Sequence, residues 1–133
     1  MQPLVHVSLP HNYNTETEFF SESMLGNFGM VLQKNIAELF SCKEEGGMIN
    51  PNDVEIEFKP RPSKPHLHIG NEKSKVRITI FLGHSRPRQE ALHQITGYLK
   101  SRLASHSGWK GQVSGCIRVL LVPSAYTVFN SVE

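Results

Sequence analysis

Among the 133 residues, Arg118 poses the sharpest chemical question. It stands alone in residues 116–122, a run otherwise apolar on both faces. A guanidinium turned into apolar surroundings has to be paired. It is therefore either an anion ligand or half of an intersubunit salt bridge, and the sequence leaves both open. His6 and His84 lie near the ends of expected strands, where they either contact a substrate or pack as satisfied, half-buried imidazoles. His66 and His68 fall on one side of an extended segment, the spacing of a metal pair. No third ligand of suitable spacing stands nearby, though His84 could approach in space; exposed linker histidines are the default, and neither a metal nor another cofactor is expected. Ser41-Cys42 has no base at identifiable spacing, which leaves nucleophilic catalysis without support. Cys42 and Cys116 are isolated and define neither a redox motif nor a disulfide framework.

These residues need elements to hold them. Residues 4–9 alternate, with Val5, Val7 and Leu9 on one side and Pro10 closing the run, which predicts a short strand. Thr15 and Glu18 have capping-box spacing. Gly26 and Gly29 weaken the segment that follows, so a helix broken or restarted near Ser23 stands beside a continuous one. Leu25, Phe28, Leu32, Ile36 and Leu39 share one helical stripe. Val54, Ile56 and Phe58 alternate with Glu55, Glu57 and Lys59 as a half-buried strand. Val76, Ile78, Ile80 and Leu82 make a third. Ser85 is placed to cap a second helix with Pro87 in its first turn, where no backbone donor is lost. Its buried stripe is Ala91, Leu92, Ile95, Leu99 and Leu103. Residues 116–122 form the last strand, ended by Pro123.

The order is β-α-β, linker, β-α-β within a single domain. The first repeat covers residues 3–59, the linker 60–75, the second repeat 76–123 and a tail 124–133. A strand–helix–strand connection favours parallel pairing inside each unit. The expected fold class is α/β (α+β): duplicated β-α-β units forming a four-stranded sheet with two helices on one face.

Hydrophobic residues make up 38 % and charged residues 20 %, with ten Gly and eight Pro. That excludes collagen, coiled coil and wholesale disorder. A net charge of +2 is too small to imply nucleic acid or an anionic membrane by itself. No apolar run approaches the roughly 18 residues of a bilayer span, and residues 1–6 lack the regions of a signal peptide. A cytoplasmic location is expected. Lys59, Arg61, Lys64, Lys73 and Lys75 in the linker could touch phosphates, a minor reading beside that of a solvated loop. Trp109, Tyr126 and Phe129 either pack on a neighbouring subunit or cap their own.

Val76-Arg77-Ile78-Thr79-Ile80-Phe81-Leu82-Gly83-His84-Ser85, followed by Arg88-Gln89-Glu90-Ala91-Leu92, resembles the first strand, turn and helix start of the tautomerase superfamily. That superfamily includes 4-oxalocrotonate tautomerase and macrophage migration inhibitory factor. Ile117-Arg118-Val119 is similar to the family's closing strand, and Pro3-Leu4-Val5-His6-Val7 to its opening. The resemblance covers residues 74–123 well and the first half mainly in element order. It implies a homotrimer with sheets facing inward, and a keto–enol tautomerase acting on small 2-oxo acids. An amino-terminal proline is the family's general base, and Pro3 matches it. His84, Arg86 and Arg118 would hold the substrate carboxylate. A free amino group titrates near 8, roughly, and an apolar, cationic pocket lowers that toward neutrality.

Three departures bear on that chemistry. Pro3 follows Met1 and Gln2, so its nitrogen is an amide with no basic lone pair, and Pro3 is a base only if both residues are removed. His84 replaces the family's turn arginine. Glu55 stands in the first half where Arg118 stands in the second. A non-catalytic oligomeric binding protein of the same fold is the alternative. An RNA-binding module is a second, because β-α-β-β-α-β is also the order of the RNA-recognition fold. The third strand has one aromatic and no glycine for base stacking, which argues against it, so nucleic acid is not an expected partner.

Overall fold

A computed structural model describes residues 2–9, 21–43, 47–60, 75–106, 114–123 and 129–131. Strand β1 spans Leu4–Leu9 and helix α1 spans Glu22–Phe40; a 3-10 turn over Pro51–Asp53 leads into β2, Glu55–Pro60. In the second half, β3 spans Lys75–Gly83, α2 Arg86–Glu90, α3 Leu92–Ala104 and β4 Ser114–Val122.

Helix α1 starts where Ser21 supplies its cap, the hydroxyl accepting from the Met24 backbone N–H at 3.2 Å. It runs unbroken to Phe40 despite its two glycines. Gly29 packs against the Phe58 ring, where an added Cβ would make ordinary contact at 3.7 Å. The earlier candidate cap, Thr15 with Glu18, lies outside the described residues. The second helix differs from expectation in being two pieces. Ser85 does cap it, accepting from Arg88 N–H at 3.3 Å, but the chain turns at Ala91 (φ −101°, ψ 8°) before α3 continues. Of the expected stripe, Leu99 and Leu103 are buried, while Ala91, Leu92 and Ile95 are only half-buried.

The strands form one sheet in the order β2-β1-β3-β4. β1 pairs with β2 in parallel and β3 with β4 in parallel, so each strand–helix–strand unit keeps its own two strands adjacent. The units meet through antiparallel β1 and β3. A split β-α-β sheet, which the same element order also builds, would instead insert a strand of one unit into the other. The RNA-module alternative loses its topology here.

Alternation assigns the faces. Val5, Val7 and Leu9 on β1 and Val76, Ile78, Ile80 and Leu82 on β3 are buried with Phe28, Leu32, Ile36 and Phe40 of α1 and Leu99 and Leu103 of α3. Each such side chain contributes about 1.5–3 kcal/mol by leaving water, which fixes the register of both central strands. Arg102 Nη1 ties the helices together, donating to Asn35 Oδ1 at 2.9 Å and Glu38 Oε2 at 2.7 Å.

The opposite face is set out in rows by the register. Glu55, Leu4, Phe81 and Leu120 form one row; Glu57, His6, Thr79 and Arg118 the next; Lys59, Ser8, Arg77 and Cys116 a third. Cys116, Arg118 and Leu120 are exposed, and the central residues of these rows are half-buried apart from exposed Arg77.

Candidate functional site

The start of β1, the start of β2 and the ends of β3 and β4 lie at one end of the sheet. Pro3 opens that end. Its side chain is buried, and its carbonyl accepts from the Glu55 N–H at 3.0 Å, continuing the β1–β2 ladder by one bond. His84 follows the last residue of β3, and its N–H donates to Val122 O at 3.0 Å, continuing β3–β4 in the same way. Its imidazole is exposed and sits 2.5 Å from Gln89 Oε1. Arg86 Nε donates to Glu90 Oε1 at 2.8 Å, one helical turn on, with both side chains mostly exposed. A surface pair of this kind is worth at most about 1 kcal/mol, so an incoming anion can replace it at little cost.

The fold thus brings Pro3, His84 and Arg86 to a common end. Arg118 is elsewhere. It lies four residues back from Val122 along β4, about 13 Å at strand rise, and on the opposite face. The expectation of a guanidinium turned into apolar surroundings fails, because Arg118 is exposed. β4 is an edge strand whose outward residues Cys116 and Leu120 are no more polar than its inward ones, so composition alone did not distinguish its faces. His6 is also half-exposed, its Nε2 3.6 Å from Glu57 Oε2 and its ring edge-on to Phe81 at 5.4 Å. His66, His68, Trp109 and Tyr126 lie outside the described residues, and Phe129 is exposed.

One charged residue of this end entered the sequence argument only as part of the Arg88-Gln89-Glu90-Ala91-Leu92 motif. Arg88 is 6 % exposed and donates to three main-chain carbonyls: Nε to Phe40 at 2.9 Å, Nη1 to Gly83 at 2.8 Å and Nη2 to Gly47 at 3.0 Å. The Phe40 carbonyl belongs to the last turn of α1, where the helix dipole favours a cation. Arg88 therefore fixes the end of β3, and with it the His84–Arg86 turn, against the end of α1. The signal was present in the spacing: positions 88, 92, 95 and 99 form one helical stripe, and an arginine opens it. Ser41 is structural too, accepting from Ile49 N–H at 2.9 Å and donating to Ala37 O at 2.6 Å.

A cavity of about 260 Å³ opens at the other end of the sheet, between α3 and β4, over Phe28, Val76, Ile78 and Ile117. It does not include Pro3, His84 or Arg86.

No family model matches the sequence. Solved structures do. The chain is similar to malonate semialdehyde decarboxylase, with TM-score 0.50 and 12 % identity over 98 % of this chain and 92 % of that one. A protein of unknown function from Vibrio cholerae gives TM-score 0.50 and 9 % identity, covering 96 % and 84 %. N1, a member of the cis-3-chloroacrylic acid dehalogenase family, gives 0.48 and 12 %, covering 89 % and 75 %. The chain shares the tautomerase-like fold of malonate semialdehyde decarboxylase. No described helix is long and apolar enough to cross a membrane.

Proposed function

We propose that this chain binds a small 2-oxo acid at the Pro3 end of its sheet and interconverts the acid's enol and keto forms once Pro3 is the terminal residue. The observation that carries this is that the strand register sets Pro3 at the same end of the sheet as His84 and Arg86, a latent secondary amine at the end that also holds two side chains able to bind a carboxylate. The fold shared with malonate semialdehyde decarboxylase, whose name denotes a small 3-oxo acid, supports a small oxo acid as ligand but not the position of its oxo group. In the reaction the free proline nitrogen takes the enol hydroxyl proton and returns it to the adjacent carbon. Atoms and charge balance, with no oxidant or second substrate.

While Gln2 remains attached, the nitrogen is an amide and the chain binds without transferring protons. The buried Pro3 ring and the Gln2–Pro3 peptide bond favour that second reading, a non-catalytic binding protein, for the intact chain. Phenylenolpyruvate conversion separates the two states. A chain beginning at Pro3 is expected to convert it and to be alkylated at residue 3 by a halopropiolate, whereas the chain bearing Met1-Gln2 does neither. Arg86→Ala is expected to raise KM more than it lowers kcat. A chain beginning at Pro3 that shows no conversion overturns the proposal. The intact mass of protein from its own source tells which state is used.

A further inference from the structure

The cavity of about 260 Å³ between α3 and β4 takes no part in the chemistry proposed for the Pro3 end. Its lining is apolar. Phe28, Val76 and Ile78 are buried beneath it, and Leu103 of α3 and Ile117 of β4 line it as well. The two margins carry little that could fill it: Gly115 on β4 adds no side chain, and Ala104, the exposed last residue of α3, adds only a methyl group. An apolar cavity of about 150 Å³ already holds a benzene molecule, so this one has room for a ring and a short chain.

One charge marks the mouth. Lys100 lines the cavity, is exposed, and makes no ion pair or hydrogen bond among the described residues. Arg102, two positions on, differs in being committed to Asn35 and Glu38. No acidic residue stands among the described residues that line the cavity. An apolar space with a single charged group at its edge fixes both the body and the orientation of what it takes. Here a cation is repelled, and a neutral molecule of the same shape gains nothing from the ammonium. We propose that the cavity binds a small apolar monocarboxylate, an arylalkanoate, with its ring against Phe28 and its carboxylate on Lys100. The site shares no residue with Pro3, His84 and Arg86. Gly115 lies seven residues along β4 from Val122, roughly 23 Å at strand rise, so this binding stands independently of the chemistry at the Pro3 end.

Titration of the isotope-labelled full chain with hydrocinnamate, followed by amide NMR, tests it. Saturable shifts are expected at Ala104, Gly115 and Ile117. Hydrocinnamyl alcohol, a body of the same shape without the charge, is expected to bind about threefold to fivefold more weakly, the scale of an exposed ion pair. Lys100→Gln should bring the acid down to the alcohol's affinity and leave the alcohol unchanged. Ala104→Trp, bulky at an exposed position, should abolish binding of both, with far-UV circular dichroism and the melting temperature showing that the variant is folded. Arg86→Ala should bind the acid in the cavity as the wild type does. Shifts that gather at His84 and Arg86 and vanish in Arg86→Ala overturn the proposal. So does an alcohol that binds as well as the acid, a Lys100→Gln variant that keeps the preference, a folded Ala104→Trp variant that still binds, or the absence of saturable shifts at millimolar ligand.

Discussion

Arg88 and Arg118 show how differently the same side chain is used 30 positions apart. Arg88 is buried against three carbonyls, so its loss would leave several acceptors without donors. Each orphaned buried group costs about 1–3 kcal/mol, and Arg88→Ala is expected to destabilise the fold by about 3 kcal/mol or more. Arg88→Lys should recover only part of this, since an ammonium cannot reach three acceptors arranged for a planar fork. Urea midpoints compared with wild type measure both, and an Arg88→Ala midpoint equal to wild type would remove Arg88 from its structural role. Exposed Arg118→Ala should leave the monomer's stability within about 0.5 kcal/mol. The sequence pointed at the arginine of the pair that is exposed, because a lone cation in an apolar strand attracts notice. One at the head of a helical stripe was passed over as part of a short motif.

At the scale of elements, periodicity was a good guide where one face is buried. β1, β2 and β3 alternate, and the boundaries expected from alternation lie within two residues of those found. The division of the second helix at Ala91 had no comparable signal, because the apolar stripe continues across it. β4 begins two residues before the expected start, at Ser114, and its second residue explains how it can lie so close to β3. A Cβ on Gly115 would sit 2.2 Å from the Val76 carbonyl oxygen. Gly115→Ala must therefore push the start of β4 away from β3, with an expected loss of about 1–3 kcal/mol, typical of overpacking. Thermal unfolding would register it, and an unchanged melting temperature would show that β4 shifts without cost.

At the scale of the whole molecule, the element order gave the parallel pairing inside each unit, since a helical crossover leaves little choice. How the two units join was not legible. Either edge of either unit could have met the other, and the choice of β1 against β3 rests on long-range contacts that local sequence pattern does not encode. Among the described residues, the units are tied by antiparallel β1–β3 bonds, by Arg88 on Phe40 and Gly47, by Arg102 on Asn35 and Glu38, and by the Phe28–His106 ring contact at 5.8 Å.

The adjacency of each unit's own strands also bears on how such a chain can be divided. The covalent link between residues 60 and 75 closes no hydrogen-bonded ladder within either unit. A protease site placed there is expected to yield two fragments that migrate together under native conditions and part only in denaturant; fragments that separate in buffer would show that the tether supplies more than proximity. If they hold together, the two halves need each other's surface but not the covalent tether, and separate polypeptides could supply them.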